Sequence, residues 1–123
     1  MKFTIELAPV TKKNSQQIIY VKGRPMIIPS KKYREYERDA SWFLQYDDLP
    51  IGYPVEVKCI YYMPTKRRVD LVNLLECTDD VLVKCGVLED DNSNIIVSHD
   101  GSRVLYDKDN PRTEIYITEV VEE

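Results

Sequence analysis

The sequence has little of what holds a small secreted scaffold together. Its three cysteines, Cys59, Cys77 and Cys85, are odd in number and form no C-x-x-C pair, so neither a disulfide framework nor a thiolate zinc site is signalled. Cys77 and Cys85 fall on one predicted helix, about 12 Å apart by helical rise, which is too far for a bridge. We read all three as reduced thiols that fill space. No stretch approaches the roughly 18 apolar residues of a membrane span. The opening Met1-Lys2-Phe3-Thr4-Ile5-Glu6 lacks the apolar core of a signal peptide. The expectation is a soluble, cytoplasmic protein with no membrane partner. No internal repeat or low-complexity segment interrupts the 123 residues, and a chain of this length fits one domain, residues 1–123, with a modest single core.

Excess positive charge is also missing: the net charge is −4, which on its face speaks against a polyanionic partner. The distribution says otherwise. Residues 1–68 hold 13 Lys and Arg against 7 Asp and Glu, a balance of +6, whereas residues 69–123 hold 4 against 14, a balance of −10. An enzyme acting on nucleic acid needs cations to hold phosphates and a separate carboxylate cluster to hold metal. A segregated charge map meets both needs, although a mixed solvated surface gives the same counts.

Hydropathy patterning supplies the elements. Lys2 to Leu7 alternates with strand period, with Phe3, Ile5 and Leu7 on one face. Gln17 to Val21 and Arg24 to Ile28 flank Lys22-Gly23 and predict a hairpin. Ser30 is a plausible N-cap for a helix from Lys31 to about Tyr46, with Tyr33, Tyr36, Ala40, Phe43 and Leu44 along one face. Tyr33, Tyr36 and Trp42 read as core packing before base stacking. Val55 to Met63 is a strand stopped by Pro64. Asp70 to Cys85 is the clearest helix: Leu71, Leu74, Leu75, Thr78, Val81, Leu82 and Cys85 gather on one side, and Gly86 supplies the stop. Strands are expected over about Asn94 to Ser98, Ser102 to Tyr106 and Arg112 to Val120, with a turn at residues 107–111. The sum is a single α+β domain, a mixed β-sheet with two packed helices.

The chemistry-bearing stretch is Lys66-Arg67-Arg68-Val69-Asp70-Leu71-Val72-Asn73-Leu74, followed after the helix by Glu89-Asp90-Asp91. Cations directly before an acid at a helix start bring phosphate-binding groups near a candidate metal ligand. The later acidic turn can complete a site of the oxygen donors that Mg²⁺ prefers. The plain alternative is that Asp70 caps the helix and residues 89–92 form a solvated turn. Asp90-x-Asn92-x-Asn94 imitates a calcium loop, but Ile95 stands where glycine is needed and Gly101 where glutamate is needed, so that reading is rejected. His99-Asp100 offers a general base, although such a histidine is more often structural.

On these residues the chain resembles the RusA family of Holliday junction resolvases, in its phage-type form. The shared pattern is a basic run, an Asp-x-Asp-Asn-Leu helix opening, a downstream Asp, a Gly and a closing Asp-Asp. Here it is met by Arg67-Arg68-Val69-Asp70-Leu71-Val72-Asn73-Leu74, Asp80, Gly86 and Asp90-Asp91. Pro9-x-x-x-x-Asn14 is a looser form of the family's opening. The resemblance implies a homodimeric endonuclease that uses Mg²⁺, or Mn²⁺ in its place, to nick branched DNA in pairs at four-way junctions. It implies Asp70 and Asp91 as metal-binding acids. Two positions depart from the pattern: the second Asp of Asp-x-Asp is Val72, and a functional lysine on the helix is Glu76. Glu76 is the nearest substitute acid, with Asp90 and Asp80 behind it, and Lys84 or Lys66 is a candidate for the cationic role. The candidate catalytic set is thus Asp70, Asp91, Glu76 and Asp90, with metal on Asp70, Asp91 and Asp90. The candidate DNA-binding set is Lys12, Lys13, Asn14, Lys31, Lys32, Arg34, Lys66, Arg67 and Arg68. A junction-binding protein that has lost cleavage through Val72, and an interaction protein with no nucleic-acid partner, remain the alternatives.

Overall fold

The computed structural model describes residues 1–12 and 16–121, apart from the Gln16 side chain. Its elements run β1 (Lys2–Ile5), β2 (Gln16–Val21), β3 (Arg24–Pro29), α1 (Lys31–Ala40), β4 (Val55–Met63), α2 (Leu71–Lys84), β5 (Ile96–Ser98), β6 (Arg103–Tyr106) and β7 (Arg112–Glu119). β4 is the centre of the main sheet. It pairs antiparallel with β7 along one edge, and on the other edge parallel with β5 near its start and with β6 near its end. β1 extends the sheet beyond β7. This is the expected single α+β domain with a mixed sheet and two helices. No helix among the described residues is long and apolar enough to cross a membrane.

Strand alternation decides which sheet face is covered. On β4 the buried residues are Val55, Val57, Cys59 and Tyr61, while Glu56 and Lys58 are exposed. Thr113, Ile115 and Ile117 of β7 are buried alongside them. The core beneath takes Tyr36, Ala40 and Leu44 from α1 and the turn after it, and Leu74, Val81 and Leu82 from α2. The Tyr61 hydroxyl meets Thr78 Oγ1 at 2.7 Å, so this buried polar tip is satisfied. Leu82 has no solvent exposure. Leu82→Ala should therefore lower unfolding free energy by about 2–5 kcal/mol, the range for emptying a packed site, as read by urea denaturation. A loss below about 1 kcal/mol contradicts the packing described.

Both ends of α2 follow from the sequence. Asp70 Oδ1 accepts the Val72 backbone N–H at 2.9 Å, capping the helix, and saturates a donor that the first turn leaves free. At the other end Gly86 adopts φ 77°, which spares a Cβ penalty. Its N–H reaches Val83 O and the Val87 N–H reaches Leu82 O, both within 3.1 Å, a Schellman stop. The hairpin turn likewise has Lys22 at φ 53° and Gly23 at φ 78°, the pair of positive values that a two-residue turn between twisted strands requires.

Three boundaries differ from expectation, the first being β1, which stops at Ile5 instead of Leu7. α1 ends at Ala40, because Trp42, Phe43 and Leu44 bond three residues back in tight turns, with Ser41 Oγ donating to Arg38 O. Leu44 still reaches the core, whereas Trp42 is exposed. Asn92 accepts three backbone N–H groups from Asn94, Ile95 and Ile96, and this turn delays β5 to Ile96.

Candidate active site and nucleic-acid interface

The acidic turn after α2 is anchored before it begins. Val87 and Leu88 are buried, Leu88 bridges to Ile51, and the Glu89 N–H donates to Ile51 O at 3.0 Å. Asp90 then turns inward on its own loop, accepting from the Asp91 N–H at 2.7 Å and from Asn92 Nδ2 at 3.2 Å. Asp91 lines a cleft with Lys12, Glu37, Asp80, Val83 and Lys84. Partial desolvation, followed by Asp90 and the Asp80 charge, holds the Asp91 carboxyl above the ordinary range. Lys12 Nζ lies 3.4 Å from Asp80, and Lys84 pairs with Glu37. Lys12, expected on the DNA backbone, thus stands among the acids, as does Lys84.

Asp70 stands elsewhere. It precedes Asp80 by ten residues, or roughly 15 Å of helical rise, whereas Asp91 is set against the Asp80–Lys84 end of α2. One protomer therefore does not bring Asp70 and Asp91 together. Among the described residues no group of three or more His, Cys, Asp or Glu side chains is disposed to hold a metal ion. Val72 is 68% exposed. Glu76, also exposed, follows it by one turn and precedes Asp80 by another, on the stripe between the two acidic ends. The donors that are present suit a hard cation. Asp91 is a carboxylate crowded by other carboxylates, the arrangement that a divalent ion relieves, and Asp70 keeps Oδ2 beyond its cap.

The basic residues gather at the opposite end. Lys32, Arg67 and Arg68 line a second cleft with Pro9, Thr11 and Thr65, just before the N-terminus of α2. Lys31 pairs with Glu35 at 3.8 Å, Arg34 Nε donates to Ser30 O, and Lys66 lies over the Tyr106 ring. Lys13 and Asn14 fall outside the described residues. Tyr33 and Tyr36 are core residues, as their spacing predicts.

A partly buried pair escaped the sequence reading. His99 Nε2 meets Asp79 Oδ2 at 2.8 Å, and His99 Nδ1 meets Val57 O at 2.8 Å. A carbonyl only accepts, so Nδ1 carries a proton, and the Nε2 contact holds one more, shared with the carboxylate. Asp79, not Asp100, is the histidine's partner. The signal was present: an acid between Leu75 and Leu82 on the apolar side of α2 calls for a partner, and His99 is the one histidine in the sequence. The hydrogen bond to Asp79 raises the His99 pKa, and burial raises that of Asp79.

A histidine that binds its proton more tightly when folded lends stability that is full below its unfolded pKa of about 6.5 and is lost as pH rises through the raised value. The raised Asp79 acts in the same sense, since its desolvated carboxylate destabilises the fold progressively above the ordinary value. We expect wild-type stability to fall by roughly 1–3 kcal/mol as the shared proton leaves, and Asp79→Asn to flatten that dependence. Urea denaturation between pH 6 and pH 9 checks this; equal slopes in both proteins would show that the pair is not the cause.

A family model described as Endodeoxyribonuclease RusA matches residues 6–118. The Crossover junction endodeoxyribonuclease RusA of Aquifex aeolicus (strain VF5) is 33% identical over 86 residues, covering 68% of this chain and 66% of that protein. The match thus spans just under two thirds of that relative's length.

Proposed function

Because the chain belongs to the RusA family of endodeoxyribonucleases, we propose that it is a cytoplasmic, Mg²⁺-dependent endonuclease that binds four-way DNA junctions as a homodimer and hydrolyses phosphodiesters in pairs. The observation that carries this reading is the division of labour along α2. A basic cleft of Lys32, Arg67 and Arg68 lies at its N-terminal end, and an acidic cleft holding Asp80 and Asp91 lies at its C-terminal end. The first holds phosphates, and Lys13, Asn14, Lys31, Arg34 and Lys66 are assigned to the same backbone contact. The second holds the cation.

Asp91, supported by Asp90 through the turn, and Asp70 are the proposed metal ligands. Their separation within one protomer supports a site made by two copies, Asp70 from one and Asp91 from the other. Two-fold symmetry then yields two such sites, one for each opposed strand. A divalent ion bound there supplies Lewis-acid polarisation of the phosphodiester. Glu76, one turn beyond Val72, stands in for the absent acid on the Asp70 side. Lys12 and Lys84 offset repulsion between the acidic cleft and an approaching phosphate.

Incubating the protein with a synthetic four-way junction labelled on each strand, with Mg²⁺ or with EDTA, tests the proposal. Symmetric cleavage with Mg²⁺ alone is expected, and linear duplex should stay intact. Binding without cleavage in either Mg²⁺ or Mn²⁺ favours the second reading, a junction-binding protein disarmed by Val72. Arg67→Ala with Arg68→Ala should also flatten the log–log salt dependence of junction binding by about 1.8, at roughly 0.9 per phosphate contact. An unchanged slope removes both arginines from the backbone interface.

A further inference from the structure

The β2–β3 ribbon is the part of the molecule that the proposed activity leaves without a role. Among the described residues its two strands hydrogen-bond to each other and to no strand of the main sheet. The register sets Ile18 opposite Ile27 and Tyr20 opposite Pro25, and directly paired residues of an antiparallel ribbon share a face. That face is open: Ile18 is 63%, Tyr20 72% and Ile27 66% exposed. The other face is covered only near the root, where Ile19 and Ile28 are half-buried, while Val21 and Met26 towards the tip are exposed. A two-stranded ribbon is marginal alone in water, and this one holds four apolar side chains on its open face with nothing packed over them.

Charge and size decide which contact. Residues 17–29 contain Lys22 and Arg24 at the tip and no acid, in a chain of net charge −4. With six residues per strand the ribbon is roughly 20 Å long and 10 Å wide, about 200 Å² of face, well short of the roughly 800 Å² per partner of a stable protein interface. A second copy of the ribbon would also bring nothing to neutralise the tip. Nucleic acid supplies both complements. A two-stranded ribbon fits the major groove, phosphates answer Lys22 and Arg24, and unstacked bases accept tyrosine and aliphatic side chains. The root is fixed beside the basic end of α1, where Gln17 Oε1 accepts the Lys31 N–H at 3.2 Å.

We infer that the open face of the β2–β3 ribbon, Ile18, Tyr20, Pro25 and Ile27, packs against exposed bases at the branch point of the DNA, with Lys22 and Arg24 on the flanking phosphates. The inference rests on the junction-binding reading above and adds a residue-level contact to it. A branch point is where stacking between helical arms is interrupted, so base faces are presented there that a continuous duplex hides. The ribbon therefore contributes to the preference for branched over linear DNA.

The test uses the full chain and a four-way junction carrying 2-aminopurine beside the branch point, with linear duplex of the same sequence as the comparison. Wild type should raise the 2-aminopurine fluorescence on binding. Tyr20→Ser with Ile27→Ser should abolish that rise and weaken junction binding about tenfold or more, with duplex binding changed less than about twofold. If the double variant does not fold, Tyr20→Ala carries the same expectation at smaller amplitude. A fluorescence rise equal to wild type overturns the inference. So does a variant that sediments as monomer where wild type is a dimer, since the ribbon is then a surface between copies. Failure of wild type itself to bind the junction overturns the functional reading along with it, whereas wild-type binding that the variants match overturns the ribbon contact alone.

Discussion

Asp91→Asn is expected to lower junction cleavage by about 10³-fold while leaving junction binding intact or slightly tighter. The substitution keeps shape and removes charge. Asp91 is exposed, so the fold loses no packing. Its carboxyl already sits above the ordinary range because it is partly desolvated and crowded by Asp90 and Asp80. Without its charge the cation is held weakly and transition-state stabilisation falls by the magnitude typical of losing a principal electrostatic group. Under the proposed assignment phosphate binding falls to Lys32, Arg67 and Arg68, which line the cleft at the other end of α2, and one fewer negative charge reduces repulsion with the backbone. Single-turnover cleavage beside a gel-shift titration reads both quantities. A folded Asp91→Asn that cleaves at a wild-type rate, or one that loses binding in proportion to cleavage, contradicts the assignment.

Mixing two dead proteins should restore activity. Asp70→Asn and Asp91→Asn are each expected to lose cleavage as homodimers, because every shared site lacks one ligand. In a mixed dimer one site carries both substitutions and the other carries neither. After random exchange about half the dimers are mixed and each has one sound site, so recovery to about a quarter of wild-type site activity is expected. Recovery is measured on single-strand nicking, since one sound site nicks one strand. Absence of recovery, with subunit exchange demonstrated by mass, places both acids in one protomer's site and removes the shared arrangement.

The elements carrying this account were mostly legible in the sequence, for physical reasons that differ along the chain. Val55, Val57, Cys59 and Tyr61 alternate because one sheet face is covered and the other is not, so β4 could be read to its last residue. α2 was readable at both ends because Asp70 and Gly86 perform local tasks, a cap and a left-handed stop, that need no tertiary information. α1 read too long because Phe43 and Leu44 keep helical spacing while the backbone tightens after Ala40, and composition does not separate an α-turn from a three-residue turn. The strand order around β4 depends on long-range pairing that periodicity does not encode.

The separation of Asp70 from Asp91 was the least visible feature. Five residues follow Gly86 to Asp91, enough in extended form to run back roughly 16 Å along the helix. They do not, because the Val87 and Leu88 N–H groups are tied to Leu82 O and the following residue to Ile51, which keeps the acidic turn at the far end. Those ties come from burial of Val87 and Leu88 against α2 and the connector, contacts that motif spacing alone does not register. The Asp79–His99 pair was missed for a related reason: its members are twenty residues apart, and each looks ordinary until the helix is laid on the sheet.

Paired cutting is the property that most directly separates a junction resolvase from other nucleases, and a supercoiled plasmid bearing a cruciform measures it. A single nick relaxes the plasmid and the cruciform is reabsorbed, so linear product forms only when both opposed strands are cut within one bound lifetime. With Mg²⁺ present, this protein should convert such a plasmid chiefly to linear form. Accumulation of nicked circles as the main product, or no cleavage at protein concentrations that saturate the cruciform, would contradict the account.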